Sequence, residues 1–228
     1  MQVPGWRCAP RFTGWWGAAI MPVMKLLIAT RNPHKLDEIR AIFPSGPLQL
    51  ICLSEFPDAP EVDEDGATFE ANAVKKAMTL ALVTRLWTLA DDSGLVVPEL
   101  GGEPGVRSAR YAGEPVNYGA NNEKLLKALR ASSDRRASFH CAIALASPRG
   151  RAQVVEATCP GRIIGDLRGT QGFGYDPLFV PDGYEATFAE MNAADKNRIS
   201  HRARALKKAA ETWGAMLASA PGDWPPRA

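Results

Sequence analysis

From Lys25 onward the apolar positions follow two spacings, one suited to strands and one to helices. Lys25-Leu26-Leu27-Ile28-Ala29-Thr30 is a short apolar run of the kind that forms a buried strand. Arg31-Asn32-Pro33 ends it, and Leu36, Ile39, Ile42 and Phe43 then recur on one helical face. Asn32 as N-cap with Pro33 at the first helical position predicts where that helix begins. Pro44, Gly46 and Pro47 predict its end, and residues 48–53 read as a second strand. After an acidic loop over 58–66, Phe69, Ala73, Ala77, Leu80 and Ala81 mark the buried stripe of a helix from about 68 to 85.

The remaining chain keeps alternating. Residues 86–90 read as a strand that delivers Asp91-Asp92-Ser93-Gly94 at its carboxyl end, and residues 121–131 as a helix. Residues 137–146 and 152–159 form a hairpin through the turn Ser147-Pro148-Arg149-Gly150-Arg151. A loop over 169–174, a strand over 175–180 and a long helix over 200–219 follow. Strands alternating with helices predict an α/β fold, and the hairpin makes its sheet mixed. No internal repeat is present.

Composition narrows the class without naming a function. With 228 residues, 46% hydrophobic and 23% charged, the chain has the balance of a globular protein. A net charge of +2 argues against a nucleic-acid-binding module, which concentrates basic residues on one face. Cysteines at 8, 52, 141 and 159 lack zinc-ligand spacing and fit reduced thiols in the cytoplasm. Residues 1–23 hold three Trp, three Pro and two Arg, with no apolar run long enough for a membrane span or a secretory signal. They read as a disordered or mis-started extension ahead of one domain over 24–219, with 220–228 as a loose tail.

Four clusters can carry chemistry. Thr30-Arg31-Asn32-Pro33-His34-Lys35 sits at a strand-to-helix junction, where free N–H groups and the helix dipole favour anions and Lys35 adds charge. It lacks the glycines of a Walker A loop, and alone it reads first as a capped helix. Glu61, Asp63, Glu64 and Asp65 offer oxygen ligands suited to Mg²⁺, although most acidic loops are merely solvated. Asp91-Asp92-Ser93-Gly94 places two adjacent carboxylates beyond a strand; a cation would relieve their repulsion, and an ionised Asp could deprotonate a water. The same residue types also favour a plain turn. Gly172-Phe173-Gly174-Tyr175-Asp176-Pro177, with Lys196 and Ser200-His201-Arg202, supplies a ring between glycines for stacking on a base and donors for its edge.

In order, these stretches resemble the inosine triphosphate pyrophosphatase family (the XTP/dITP diphosphatases) over about residues 25–217. The resemblance is carried by TRNPHK at 30–35, DGATF at 65–69 with Asn72, and ADDSGL at 90–95. It continues through LGGEPGVRSARYAG at 100–113, FGYDPLF at 173–179 and ISHRARAL at 199–206. It implies an elongated mixed sheet flanked by helices, with two lobes around a central nucleotide cleft, in a cytoplasmic homodimer. The implied activity is Mg²⁺-dependent hydrolysis of ITP, dITP and XTP to the monophosphate and pyrophosphate, by water attack at the α-phosphorus.

By the same resemblance, residues Thr30 to Lys35 and Lys76 bind the triphosphate, and Ser93 contacts substrate. Asp92 is the proton acceptor and, with Glu64, a metal ligand. Phe173, Gly174, Tyr175, Asp176, Lys196, His201 and Arg202 hold the base and nucleoside. Three features depart from the family pattern: Ala71 where a capping-box Glu is usual, Gln171 where Gly is frequent, and the N-terminal extension. Two other readings fit the motifs less well, a pyrophosphatase for methylated pyrimidine triphosphates and a non-catalytic nucleotide sensor. A sensor has no need of the paired carboxylates.

Overall fold

The computed structural model describes residues 24–42 and 48–219. The expectations for residues 1–23, for Phe43, Pro44, Gly46 and Pro47, and for 220–228 lie outside the described residues. Six strands form one mixed sheet in the order β2-β1-β3-β4-β5-β6. Strand β1 (Met24–Ile28) runs parallel to both β2 (Leu48–Cys52) and β3 (Trp87–Val96). Strands β4 (Arg136–Ala146), β5 (Ala152–Ile163) and β6 (Phe179–Pro181) continue the sheet antiparallel. The parallel pairs need helical crossovers and the antiparallel pair β4–β5 needs only the turn read from the sequence.

Helix α1 (Pro33–Ile42) starts where its signals place it: Asn32 Oδ1 accepts the His34 and Lys35 N–H groups at 2.9 and 3.4 Å. Together with α5 (His201–Ala218) it covers one face of β1 and β3, burying Ile39, Leu206 and Trp213 against Leu26, Leu89 and Ile143. Helix α2 (Phe69–Thr84) covers the other face, with Ala73, Ala77, Leu80 and Ala81 against Ala90, Ala142 and Ala144. Small residues on both sides bring α2 close to the sheet. Thr68 caps α2 by accepting the Ala71 N–H at 3.0 Å, so the helix start is secured without a glutamate at 71.

The long strands β3, β4 and β5 extend past this layer into a second lobe. There Leu95, Phe139, Cys159 and Ile163 pack with Tyr175, Phe179, Phe188 and with Leu125 of α3 (Tyr118–Ala128). The architecture is the expected α/β fold of two lobes with a cleft between them. Four details differ from the sequence reading. The helix expected over 121–131 begins at Tyr118, because Asn117 caps it through Ala120 N–H at 3.0 Å. The strand expected over 175–180 is a 3-10 turn at Asp176–Leu178 followed by the short β6, since Pro177 lacks the donor that a longer ladder needs. A seven-residue helix, α4 (Ala193–Ile199), precedes α5 and is too short to show a stripe. Finally, Asp91-Asp92-Ser93-Gly94 lies inside β3, not beyond it.

Candidate active site

That last difference creates the site. β1 pairs with β3 only as far as Ile28 opposite Leu89, whereas β4 pairs with β3 from Thr88 to Val96. Among the described residues, one side of β3 carries no strand from Asp91 until the isolated bridge of Val96 with Pro104. The paired carboxylates therefore sit mid-strand, held by β4, beside the gap left where β1 stops. The rule that ligands gather beyond strand ends applies here to β1.

Side chains alternate across a sheet, so Asp91 and Asp92 face opposite layers. Asp91 points to the α1/α5 side, where Lys35 Nζ and Arg202 Nε reach its Oδ2 at 3.1 Å each. Burial pushes this carboxyl up, but Lys35, Arg202 and Lys76 outweigh it and hold Asp91 well below the usual range. Asp92 points to the α2 side, where it accepts the Asn72 amide at 3.0 Å and the Ser93 N–H at 2.9 Å. It has no ion-pair partner among the described residues. Burial and the Glu64 carboxylate push Asp92 up to about 6, against opposing effects of Lys35, Asn72 and Lys76.

Asp92 and Glu64 are thus like charges facing one cleft. Lys76 meets Glu64 and offsets part of that repulsion. Among the described residues no three His, Cys, Asp or Glu side chains group as a metal cluster. Mg²⁺ does not require three, because it binds through one or two carboxylates completed by phosphates and water. The unpaired Asp92 with its raised pKa is the environment a divalent cation would relieve, so these residues fit one.

On the other side of the cleft, cations and carboxylates are matched in advance. Lys196 Nζ donates to Glu38 Oε1 at 2.9 Å and to Asp176 Oδ2 at 2.7 Å. Arg202 also donates to Glu38 and, at 2.8 Å, to Ser93 Oγ. Asp176 Oδ2 in turn accepts the Phe173 N–H at 2.9 Å and so fixes the aromatic loop. A side chain at Gly172, whose φ is +73°, would collide with that carboxylate. Gly94 has a similar constraint, because a Cβ there would strike Ser108 and the Gly105 carbonyl of the 3-10 turn Gly105–Arg110.

His201, at the start of α5, stacks on Phe139 with ring centroids 4.6 Å apart and is 5% exposed. Burial, with the Arg202 and Lys196 charges, drives its pKa well below 6.5 and leaves it neutral. Its Nδ1 is buried with no hydrogen-bond partner among the described residues. The residue as a whole lines the cleft beside Phe173, Lys196 and Arg202.

The cleft has two chambers. One is lined by Asp92, Ser93, Phe173, Gly174, Tyr175, Asp176, Lys196, His201 and Arg202. The other is lined by Thr30, Arg31, Glu61, Lys76 and their neighbours at the N-terminus of α1. Asn32, Lys35 and Glu64 line both. The site residues expected from the sequence are therefore brought together with two exceptions. Pro33 lines neither chamber, and the His34 ring lies behind Phe173, stacked on it at 5.3 Å. Arg31 is partly committed, donating to the Ala59 carbonyl at 3.2 Å, and the Tyr175 hydroxyl donates to the Ser108 carbonyl at 3.0 Å. Glu38 was not singled out from the sequence, because its partners Lys196 and Arg202 lie 158 and 164 positions away. Asn122, which holds the Gly174 carbonyl at 3.1 Å, was missed for the same reason.

A family model described as the Ham1 family matches residues 26–212, which spans both chambers and every cluster above. The chain belongs to the Ham1 family. Relatives named dITP/XTP pyrophosphatase include one from Desulforamulus reducens, 50% identical over 190 residues, covering 82% of this chain and 94% of the relative. Another, from Geobacter sulfurreducens, is 52% identical over 184 residues, covering 80% and 92%. Among solved structures, the Staphylococcus aureus Ham1 protein is 38% identical with a TM-score of 0.77, covering 84% of this chain and 99% of that one. A HAM1 protein from Coxiella burnetii is 37% identical with a TM-score of 0.78, at the same coverage. The resemblance carried by the six motifs and the two-lobed α/β architecture are both borne out by this Ham1 membership.

Proposed function

We propose that this Ham1 protein hydrolyses aberrant purine nucleoside triphosphates, dITP, ITP and XTP, to the monophosphate and pyrophosphate, keeping them out of DNA and RNA. The observation that carries the reading is Asp92, a buried carboxylate with no ion-pair partner among the described residues, facing Glu64 at the junction of an aromatic chamber and a cationic one. Relatives of about half-identical sequence named dITP/XTP pyrophosphatase support the choice of substrate.

In this reading the purine lies on Phe173, and its edge meets His201, Lys196 and Arg202. The cations there are neutralised by Glu38, Asp91 and Asp176, so they act as oriented donors more than as free charge. Donors aimed at a carbonyl at purine position 6 face an amino group when adenine enters, and each unmet buried donor costs about 1–3 kcal/mol. The α1 N-terminus, Lys35 and Lys76 receive the phosphates. Asp92 takes a proton from the water that attacks the α-phosphorus, and Asn72 keeps its carboxylate oriented. Asp92 and Glu64 would hold Mg²⁺, which supplies charge neutralisation at the phosphate oxygens when bound. We assign the reaction to residues 24–219 acting in the cytoplasm, with two copies of the chain pairing, as the family resemblance implies. The described cysteines 52, 141 and 159 are free thiols, and no described helix is long and apolar enough to cross a membrane.

The test is pyrophosphate release with Mg²⁺ from ITP, dITP, XTP, GTP, ATP and dTTP in parallel. Release concentrated on ITP, dITP and XTP supports the proposal. Equal release from all would replace it with a general pyrophosphatase, and tight binding without release would replace it with a nucleotide sensor.

A further inference from the structure

The residues that line both chambers mark the waist of the cleft. Asn32, Lys35, Glu64 and Ala109 do so, and one aromatic side chain joins them, Tyr118. It is the first residue of α3, and the Asn117 cap fixes the backbone that carries it. Its ring is tilted 46° against Phe173 with centroids 6.0 Å apart. A second neighbour of Phe173 is the nearly parallel His34 ring, which lines an outer hollow with Gln171 and Gly172 and neither cleft chamber. Phe173 is thus backed by His34, and Tyr118 stands beside it on the cleft side.

A nucleoside triphosphate is linear in order: base, sugar, phosphates. If the base occupies the aromatic chamber and the phosphates the α1 chamber, the sugar must cross the waist. We propose that Tyr118 is a substrate-contacting residue whose ring packs against the sugar and clamps the nucleoside between Phe173 and the phosphate chamber. This rests on the nucleotide reading above. The contact is made by the apolar ring face, so it concerns the nucleoside and leaves the phosphate chain alone. It also supplies a wall from the second lobe, so substrate binding joins α1 of one lobe to α3 of the other.

The test is calorimetric binding to the full chain without added metal, using ITP and inorganic tripolyphosphate as probes, on wild type, Tyr118→Phe and Tyr118→Ala. The expected result is that Tyr118→Ala weakens ITP roughly three- to tenfold, the size of one aromatic contact, with tripolyphosphate unchanged. Tyr118→Phe, which keeps the ring, binds both as wild type does. Unchanged ITP affinity in Tyr118→Ala overturns the proposal. So does equal weakening of both probes, which would mean that the residue only shapes the phosphate chamber, or a loss in Tyr118→Phe as large as in the alanine variant. Binding is read without turnover, so a wild type that binds ITP but releases no pyrophosphate defeats the hydrolytic reading while leaving this one standing. A wild type that binds tripolyphosphate but not ITP defeats both.

Discussion

Asp91 and Asp92 are consecutive residues of one strand, yet among the described residues the first is clasped by two cations and the second by none. Lys35 and Arg202 reach Asp91 on the α1/α5 side, while Asn72 and the Ser93 N–H are the hydrogen-bond donors at Asp92 on the α2 side. Strand alternation alone separates them. It makes one carboxylate a structural anchor and leaves the other free to exchange a proton.

Replacing each by asparagine separates those roles. Asp92→Asn is expected to lower kcat about 10²- to 10⁴-fold, the usual contribution of a positioned proton acceptor, with ITP binding retained. Asp91→Asn is expected instead to destabilise the fold by about 3 kcal/mol, because it breaks a buried ion pair and leaves the cations around it underpaired. Thermal melts and steady-state kinetics on both variants check this, and near-normal turnover in Asp92→Asn would remove it from catalysis.

The pH profile follows from the Asp92 environment. With its carboxyl raised to about 6, the proton acceptor is lost as pH falls, so kcat/KM should decline below about pH 6 at low Mg²⁺. A cation beside the carboxylate favours its ionised form, so raising Mg²⁺ should move this acid limb to lower pH. Chelation should stop turnover. A limb indifferent to Mg²⁺ would place the ion away from Asp92.

Asn72 is wholly buried and spends its side chain on two bonds, accepting the Gly66 N–H at 2.7 Å and donating to Asp92. Donation to the ionised carboxylate lowers its pKa, so Asn72→Ala should shift the acid limb upward from that of wild type. It should also cost about 1 kcal/mol of stability, since the part-buried Gly66 N–H loses its acceptor. A limb that stays in place would show that the bond does not tune the proton acceptor.

Base readout is checked at His201. His201→Ala is expected to reduce the preference for ITP over ATP roughly tenfold, with tripolyphosphate affinity unchanged. An unaltered ratio would exclude the imidazole from recognition of the purine edge.

His201 also predicts a stability slope. The folded state keeps it neutral well below 6.5, whereas the unfolded chain protonates it as pH falls through 6.5. The unfolded state then binds the extra proton, so this contribution is complete above pH 6.5 and is lost as pH falls below it. Asp92, with a raised folded pKa, acts in the opposite direction, so the informative quantity is the difference between wild type and His201→Phe. The wild-type melting temperature should drop relative to the variant between pH 6.5 and 5, and parallel curves would show that the buried ring is already protonated.

Local structure was legible because it depends on near neighbours. The cap at Asn32, the Ala-rich stripe of α2 and the Ser147–Arg151 turn each stand in a few consecutive residues, and each forms where the sequence places it. The ordered motifs were equally legible as a family signature, because they lie on elements that converge on one cleft.

The sequence by itself determined the α/β alternation, the helix caps and the set of chemically able side chains. Only the tertiary structure decided what each of them does. That β1 stops at Ile28 while β4 carries β3 onward is a matter of strand pairing, and it turns an apparent strand end into a mid-strand carboxylate pair beside a cleft. Glu38, Lys196 and Arg202 acquire their meaning from each other across some 160 positions. Charge partners, burial and the pKa of Asp92 arise from through-space proximity, and the spacing of residues along a chain does not specify proximity at that range.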